Sequence, residues 1–138
     1  MENQRSALYP ESYDDLIVQT SSNDRYEGMG AVLSPDKQYR YYLWREWDNS
    51  RPTVVWLMAN PSTADGFSSD ATIDRVYGYS DRWGYGSFVV ANLFAYRSDE
   101  PSDLDGVDDP VGPRNDEILQ DLTSKADIVV GAWGSPGD

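Results

Sequence analysis

"TVVWLMANPSTAD", residues 53–65, is the stretch that decides the fold. Its apolar run is continuous rather than alternating, the pattern of a strand covered on both faces, as strands of parallel sheets are. It then opens into Asn60-Pro61-Ser62-Thr63, the residue types from which turns are built. In an open α/β sheet, ligands bind beyond the carboxyl ends of the strands, so the same turn is a candidate binding loop.

The pattern repeats downstream. Residues 71–83 space Ile73, Val76, Tyr77 and Trp83 as a helix does, with Ser69 or Asp70 placed to cap its start and Gly84 to end it. "SFVVANLFAY", residues 87–96, is the next buried strand. A polar loop follows over residues 97–112, and Pro113 suits the first position of a helix carrying Ile118, Leu119 and Leu122. "DIVVGAW", residues 127–133, is a third buried strand. Upstream, "GMGAVLSPDKQYRYYLWREW" predicts two strands joined at Ser34-Pro35-Asp36-Lys37, with Pro35 and Asp36 at the centre of a type I turn.

Helices between continuous apolar strands imply crossover connections and a parallel core. The expected fold is therefore α/β, a three-layer sandwich with a mostly parallel central sheet and an N-terminal antiparallel hairpin. Residues 1–25 are expected to be a polar lead-in and residues 26–138 a single α/β domain. Such a domain normally adds a covering helix after its last strand, so a C-terminal segment is expected to be lacking.

Composition narrows the chemistry. The chain has 138 residues, the size of one domain, with neither cysteine nor histidine. Disulfides and thiolate metal sites are therefore excluded, along with the commonest general base. No cofactor and no metal are expected. The N-terminus lacks the pattern of a signal peptide, and no apolar run approaches the roughly 20 residues a membrane helix needs. A cytoplasmic protein is expected.

The formal net charge is −13, from 24 acidic and 11 basic residues. Such charge works against binding to phosphate backbones. Its even scatter along the chain points instead to a surface adapted to high salt, where the Debye length falls to about 3 Å and like charges barely repel at range.

Three loops would leave the carboxyl ends of the parallel strands and gather on one edge: residues 60–70, 97–112 and 134–138. They would bring Asn60, Ser62, Thr63, Asp65, Asn92, Arg97, Gly134 and Ser135 together. Asn60 both donates and accepts, Pro61 stiffens the loop, Ser62 and Thr63 add hydroxyls, and Asp65 adds a carboxylate. Asn92 interrupts an otherwise apolar strand, and a buried amide needs partners. It either faces a ligand or satisfies a neighbouring backbone. Arg97 presents a fork suited to phosphate or carboxylate, or pairs with Asp99, Glu100 or Asp103. A magnesium site at Asp65, Asp70 and Asp74 ranks low, since capping and solvation account for these acids.

"RYYLWREWD…RPTVVWLMANPSTAD", "DATIDRVYGYSDRWGYGSFVVANLFAYRSDEPSDL", "DPVGPRND" and "DIVVGAWG" together resemble the uncharacterised family called domain of unknown function 1643, from about Gly30 onward. Members of that family usually continue into a segment with a His-Pro pair, which this sequence does not contain. More distantly, the layout resembles the uracil-DNA glycosylase superfamily, where a Pro-containing loop orients the attacking water and a later strand carries a base-reading Asn. In one branch Arg and then Pro follow that Asn, a spacing matched by Asn92, Arg97 and Pro101.

That resemblance implies catalytic roles for Asn60 and Asp65 in orienting water. It implies ligand-binding roles for Pro61, Ser62, Thr63, Asn92, Phe94 and Arg97, with Phe94 or Tyr96 stacking on a base. The implied ligand is a nucleobase, nucleotide or nucleic acid, with hydrolysis of an N-glycosidic bond as the reaction if the site is catalytic. The competing expectation is a non-catalytic protein-interaction module, anchored by exposed Trp44, Trp47 and Trp83.

Overall fold

The computed structural model describes residues 13–61, 63–98 and 101–132. Among the described residues it is an α/β fold built on one open, mixed sheet of six strands with two α-helices. In chain order the elements are β1 (Ile17–Ser21), β2 (Gly28–Leu33), β3 (Arg40–Glu46), β4 (Thr53–Met58), α1 (Ala71–Arg82), β5 (Ser87–Asn92), a 3₁₀ turn (Pro101–Gly106), α2 (Asn115–Lys125) and β6 (Val129–Gly131). The strands lie in the order β1-β2-β3-β5-β4-β6.

β4 pairs in parallel with both β5 and β6, as the continuous apolar runs predict. The other three pairings are antiparallel. The expectation of a mostly parallel sheet is thus corrected. The hairpin docks directly on β5, and one further strand, β1, joins its outer side. β1 falls inside the stretch read as a polar lead-in. Its Ile17 and Val18 pack against the two core clusters, so a short β-branched strand sits inside an otherwise polar stretch and pairs with β2.

Local rules hold well in α1. Asp70 is its N-cap, accepting from the Ile73 amide at 3.0 Å. The C-terminus closes as a Schellman motif: Tyr85 N donates to Ser80 O, Gly84 N donates to Asp81 O, and Gly84 has φ +96°. The Ser34–Lys37 turn also forms, with Lys37 N donating to Ser34 O at 2.9 Å. α2 starts at Asn115, two residues after the proline expected to open it.

Two strands end earlier than their apolar runs. β5 stops at Asn92, although Tyr96 still bridges Tyr39. β6 covers only Val129–Gly131, and Val129 is 42% exposed. The expected third buried strand is therefore a short strand with β4 as its neighbour, flanked by an exposed Ile128. Trp133, Gly134 and Ser135 lie outside the described residues.

The core divides into two clusters according to strand alternation. Ile73 and Val76 of α1 pack with Leu43, Val54, Phe88 and Val90. Ile118 and Leu122 of α2 pack with Tyr42, Val55, Val89 and Ala91. One irregularity breaks the alternation. The β2–β3 register shifts, so that Val32 faces Tyr42 while Leu33 faces Arg40. Tyr41 is the extra residue of a β-bulge, and it joins the same cluster as Tyr42. The bulge thereby turns Arg40 toward the opposite face, where it meets Ala64 and Asn92. Among the described residues no helix is long and apolar enough to cross a membrane.

Candidate functional site

The loops leaving β4 and β5 run side by side. Leu93 N donates to Met58 O, Phe94 N to Ala59 O, and Ser98 N to Pro61 O, each at 2.9 Å. Asn60 Nδ2 adds bonds to Ser98 O at 3.2 Å and Pro61 O at 3.3 Å. Asn60, Pro61, Thr63, Asn92, Phe94 and Arg97 thus share the carboxyl edge of the β4–β5 pair; Ser62 lies outside the described residues. Thr63 is exposed and Phe94 is 36% exposed, whereas Pro61 and Asn92 are buried.

The polar groups at this edge are largely engaged with the protein itself. Asn92 accepts at Oδ1 from Arg40 Nη2 at 3.3 Å, and its carbonyl accepts from Asn115 Nδ2 at 2.9 Å. Arg97 donates to Lys37 O at 3.2 Å and Thr63 O at 3.0 Å, joining the hairpin turn to the β4 loop. Asp65 Oδ1 accepts from Phe67 N, Ser68 N and Ser68 Oγ, an Asx-type closure of its own loop.

Residues missed by the sequence reading hold this edge from beneath. Arg40 is 3% exposed; besides Asn92 it donates to Ala64 O at 3.0 Å, and its Nε is buried without an acceptor. Both of its acceptors are neutral, so burial pushes its pKa down to about 9, partly opposed by Asp70. It is still cationic at neutral pH. Arg45 is fully buried and fastens the loop further along, donating to Asp65 O at 2.7 Å, Ser68 O at 2.9 Å and Ser69 Oγ at 3.2 Å. Burial lowers its pKa to about 10. Gln19 completes the clamp by accepting from Gly66 N at 2.7 Å. A side chain at Gly66 would place its Cβ 2.4 Å from Gln19 Cβ, so the loop needs glycine there.

The signal for these arginines was present but unread: each sits among aromatic and aliphatic strand residues in "RYYLWRE", as Asn92 does in "SFVVAN". A charge within a buried strand calls for partners as strongly as an amide does.

No group of three or more acidic side chains among the described residues is arranged to hold a metal ion. The acids expected near the site act locally instead, Asp70 as helix cap and Asp65 as loop closure. Of the three tryptophans expected at a partner surface, Trp44 is buried and Trp47 is half-buried, with Nε1 donating to Asp81. Trp83 is 51% exposed, stacked on Trp56 at 5.4 Å.

A family model described as "Protein of unknown function (DUF1643)" matches residues 40–138, which include the bulge arginine, both edge loops and every strand from β3 onward. The chain belongs to the DUF1643 family. Among curated proteins and solved structures, nothing matches it. Within the span shared with DUF1643 lie Arg40, Asn60, Asn92, Arg97 and Asn115, all of which help tie the carboxyl edge together.

Proposed function

We propose that this DUF1643 protein recognises a nucleobase- or nucleotide-type ligand at the carboxyl edge of β4 and β5, as a binding site rather than a hydrolase. The observation that carries this reading is the lacing of the two edge loops to each other above a buried, ion-pair-poor Arg40. Burying a guanidinium against neutral acceptors costs several kcal/mol by general estimates, and such a cost commonly serves a preorganised site. The rim so fixed presents the Phe94 ring for stacking, and on the same edge Arg97, whose guanidinium bridges Lys37 O and Thr63 O, adds the positive charge that would attract a phosphate. The distribution of α1 and α2 between two core clusters supports a three-layer arrangement.

Hydrolysis has less support. With its Oδ1 already accepting three hydrogens from its own loop, Asp65 is poorly placed to activate water, and Asn60 spends its amide on Ser98 and Pro61. The competing reading, a partner-binding module, draws on one surface feature: Tyr79 and Trp83, 45% and 51% exposed, at the end of α1.

Calorimetric titration of nucleoside monophosphates, nucleosides and inorganic phosphate tests the proposal, at both low and molar salt. Nucleotides are expected to bind, and Phe94→Ala to weaken them about tenfold, the typical worth of one stacked base. Arg97→Gln should weaken nucleotides but spare nucleosides. No binding by wild type overturns the proposal, and release of free base from a nucleoside restores the hydrolytic reading.

A further inference from the structure

We propose that β6 is a dimerisation edge: two copies of the chain pair their β6 strands antiparallel, about a two-fold axis through Val130, and so join their sheets into one. This goes beyond ligand recognition at the carboxyl edge of β4 and β5 and uses none of the residues placed there.

The backbone of β6 is open on one side. β4 is its neighbour, and among the described residues no strand lies beyond it. Val55 N donates to Ile128 O at 3.1 Å and Ala132 N donates to Leu57 O at 2.8 Å. Backbone groups of successive residues in a strand point to opposite sides, so those of Val129 and Gly131 point away from β4. Both residues are exposed. Natural sheets blunt such edges with a charge, a proline or a bulge. Residues 128–132, Ile-Val-Val-Gly-Ala, have none of the three.

An apolar surface flanks the opening. Trp83 stacks on Trp56 with ring centroids 5.4 Å apart and planes 7° from parallel, and Trp56 lies in register with Val130. The stack is held in place, because Trp56 Nε1 donates to Ser80 Oγ at 3.0 Å and the Tyr79 ring lies 5.6 Å from Trp83. Of the six large hydrophobic side chains exposed among the described residues, four therefore surround this edge: Tyr79, Trp83, Ile128 and Val129. Scattered exposed side chains need no explanation, but a cluster beside an open strand marks an interaction surface.

The edge is complementary to itself, which selects a second copy as its occupant. With the axis at Val130, Val129 of one copy faces Gly131 of the other, and both pairs exchange N–H···O bonds through their outward groups. Gly131, without a side chain, leaves room for the valine opposite it, and Ile128 likewise comes to face Ala132. Charge favours the same contact. Each copy carries −13, so two copies meet most readily where charge is absent, and residues 128–132 carry none. β6 is short, and the exposed rings beside it add the apolar area that a stable interface needs.

The test is sedimentation equilibrium at low and molar KCl. A dimer is expected, tighter at molar salt, where repulsion between the copies is screened. Gly131→Pro removes an outward N–H and spares the ladder to β4, while Val129→Lys sets a charge on the edge. Each is expected to weaken dimerisation about tenfold, since the two-fold axis makes every lost contact count twice, with circular dichroism unchanged. Trp83→Ala should weaken it as well, and Phe67→Ala, an exposed ring elsewhere, should not. Because the chain has no cysteine, Val130→Cys should yield a disulfide-linked dimer on mild oxidation. Hydrogen exchange at the Val129 and Gly131 amides should slow as protein concentration rises. A monomer at every salt concentration, or a dimer that withstands both edge substitutions, overturns the proposal. So does protection of the two amides in a monomer, the sign of an edge covered by its own chain.

Discussion

Arg40 donates from Nη2 to Asn92 Oδ1 at 3.3 Å across the seam between β3 and β5, and both side chains are buried. An amide that looked like a ligand reader is thus also the partner of a buried cation. Asn92→Ala would leave one Nη group facing an apolar wall, and is expected to destabilise the protein by about 2–3 kcal/mol. Urea denaturation of Asn92→Ala, Arg40→Met and the double variant checks this. The double variant should be less destabilised than the sum, with a coupling of about 1–3 kcal/mol. Additive effects would show that the two side chains do not depend on each other.

Arg45 is expected to be the main clamp on the loop between β4 and α1, since its guanidinium reaches Asp65 O, Ser68 O and Ser69 Oγ at once. Arg45→Met strips the carbonyls of their donors and should cost about 3 kcal/mol or more. Arg45→Lys should recover only part of that, because an ammonium cannot span the same acceptors. Hydrogen exchange at the Phe67 amide, bonded to Asp65 at 2.8 Å, should accelerate in both variants. Unchanged protection would contradict the clamp.

Acid should weaken the fold where Arg51 joins Asp48 and Asp81. Arg51 donates to Asp81 Oδ1 at 2.6 Å, and this bond, aided by Trp47, holds the Asp81 carboxyl below its ordinary value of 3.8. Asp48 is likewise lowered, chiefly by Ser50. A carboxylate whose pKa is depressed by folding stabilises the folded state above its unfolded pKa, and that stabilisation fades as pH falls through the folded value. The unfolding midpoint should therefore drop as pH decreases below about 4, the unfolded aspartate range. Arg51→Ala should flatten that drop, and an Asp81 carboxyl signal titrating at its ordinary pKa in the wild type would refute the assignment.

Salt should stabilise the protein. With net charge −13, self-repulsion opposes compaction at low ionic strength. At about 1 M salt the Debye length falls to roughly 3 Å and that repulsion is screened. Thermal melts in rising KCl should shift upward through this range. A midpoint that is flat or falling would remove the salt-adapted reading of the surface.

Much of the fold was legible because it is written locally. The Asp70 cap, the Gly84 closure and the turn at Ser34–Lys37 each depend on a few adjacent residues, and each forms. β4 and β5 were visible as unbroken apolar runs. β1 was not, although Ile17, Val18 and Thr20 are β-branched, because "IVQTS" is short and lies within an otherwise polar stretch. At the candidate site, the gathering of Asn60, Asn92 and Arg97 on one edge followed from topology. Their partners did not, since Arg40, Gln19 and Asn115 come from elements distant in sequence.

The sequence by itself determined α1, α2 and the strands β2 to β5, because periodicity, caps and turn residues act within a few positions of one another. Only the tertiary structure decided that Tyr41 is a bulge and that Arg40 therefore faces Asn92. Strand register is set by hydrogen bonds between segments far apart in the chain, and one inserted residue reverses the face of every side chain beyond it.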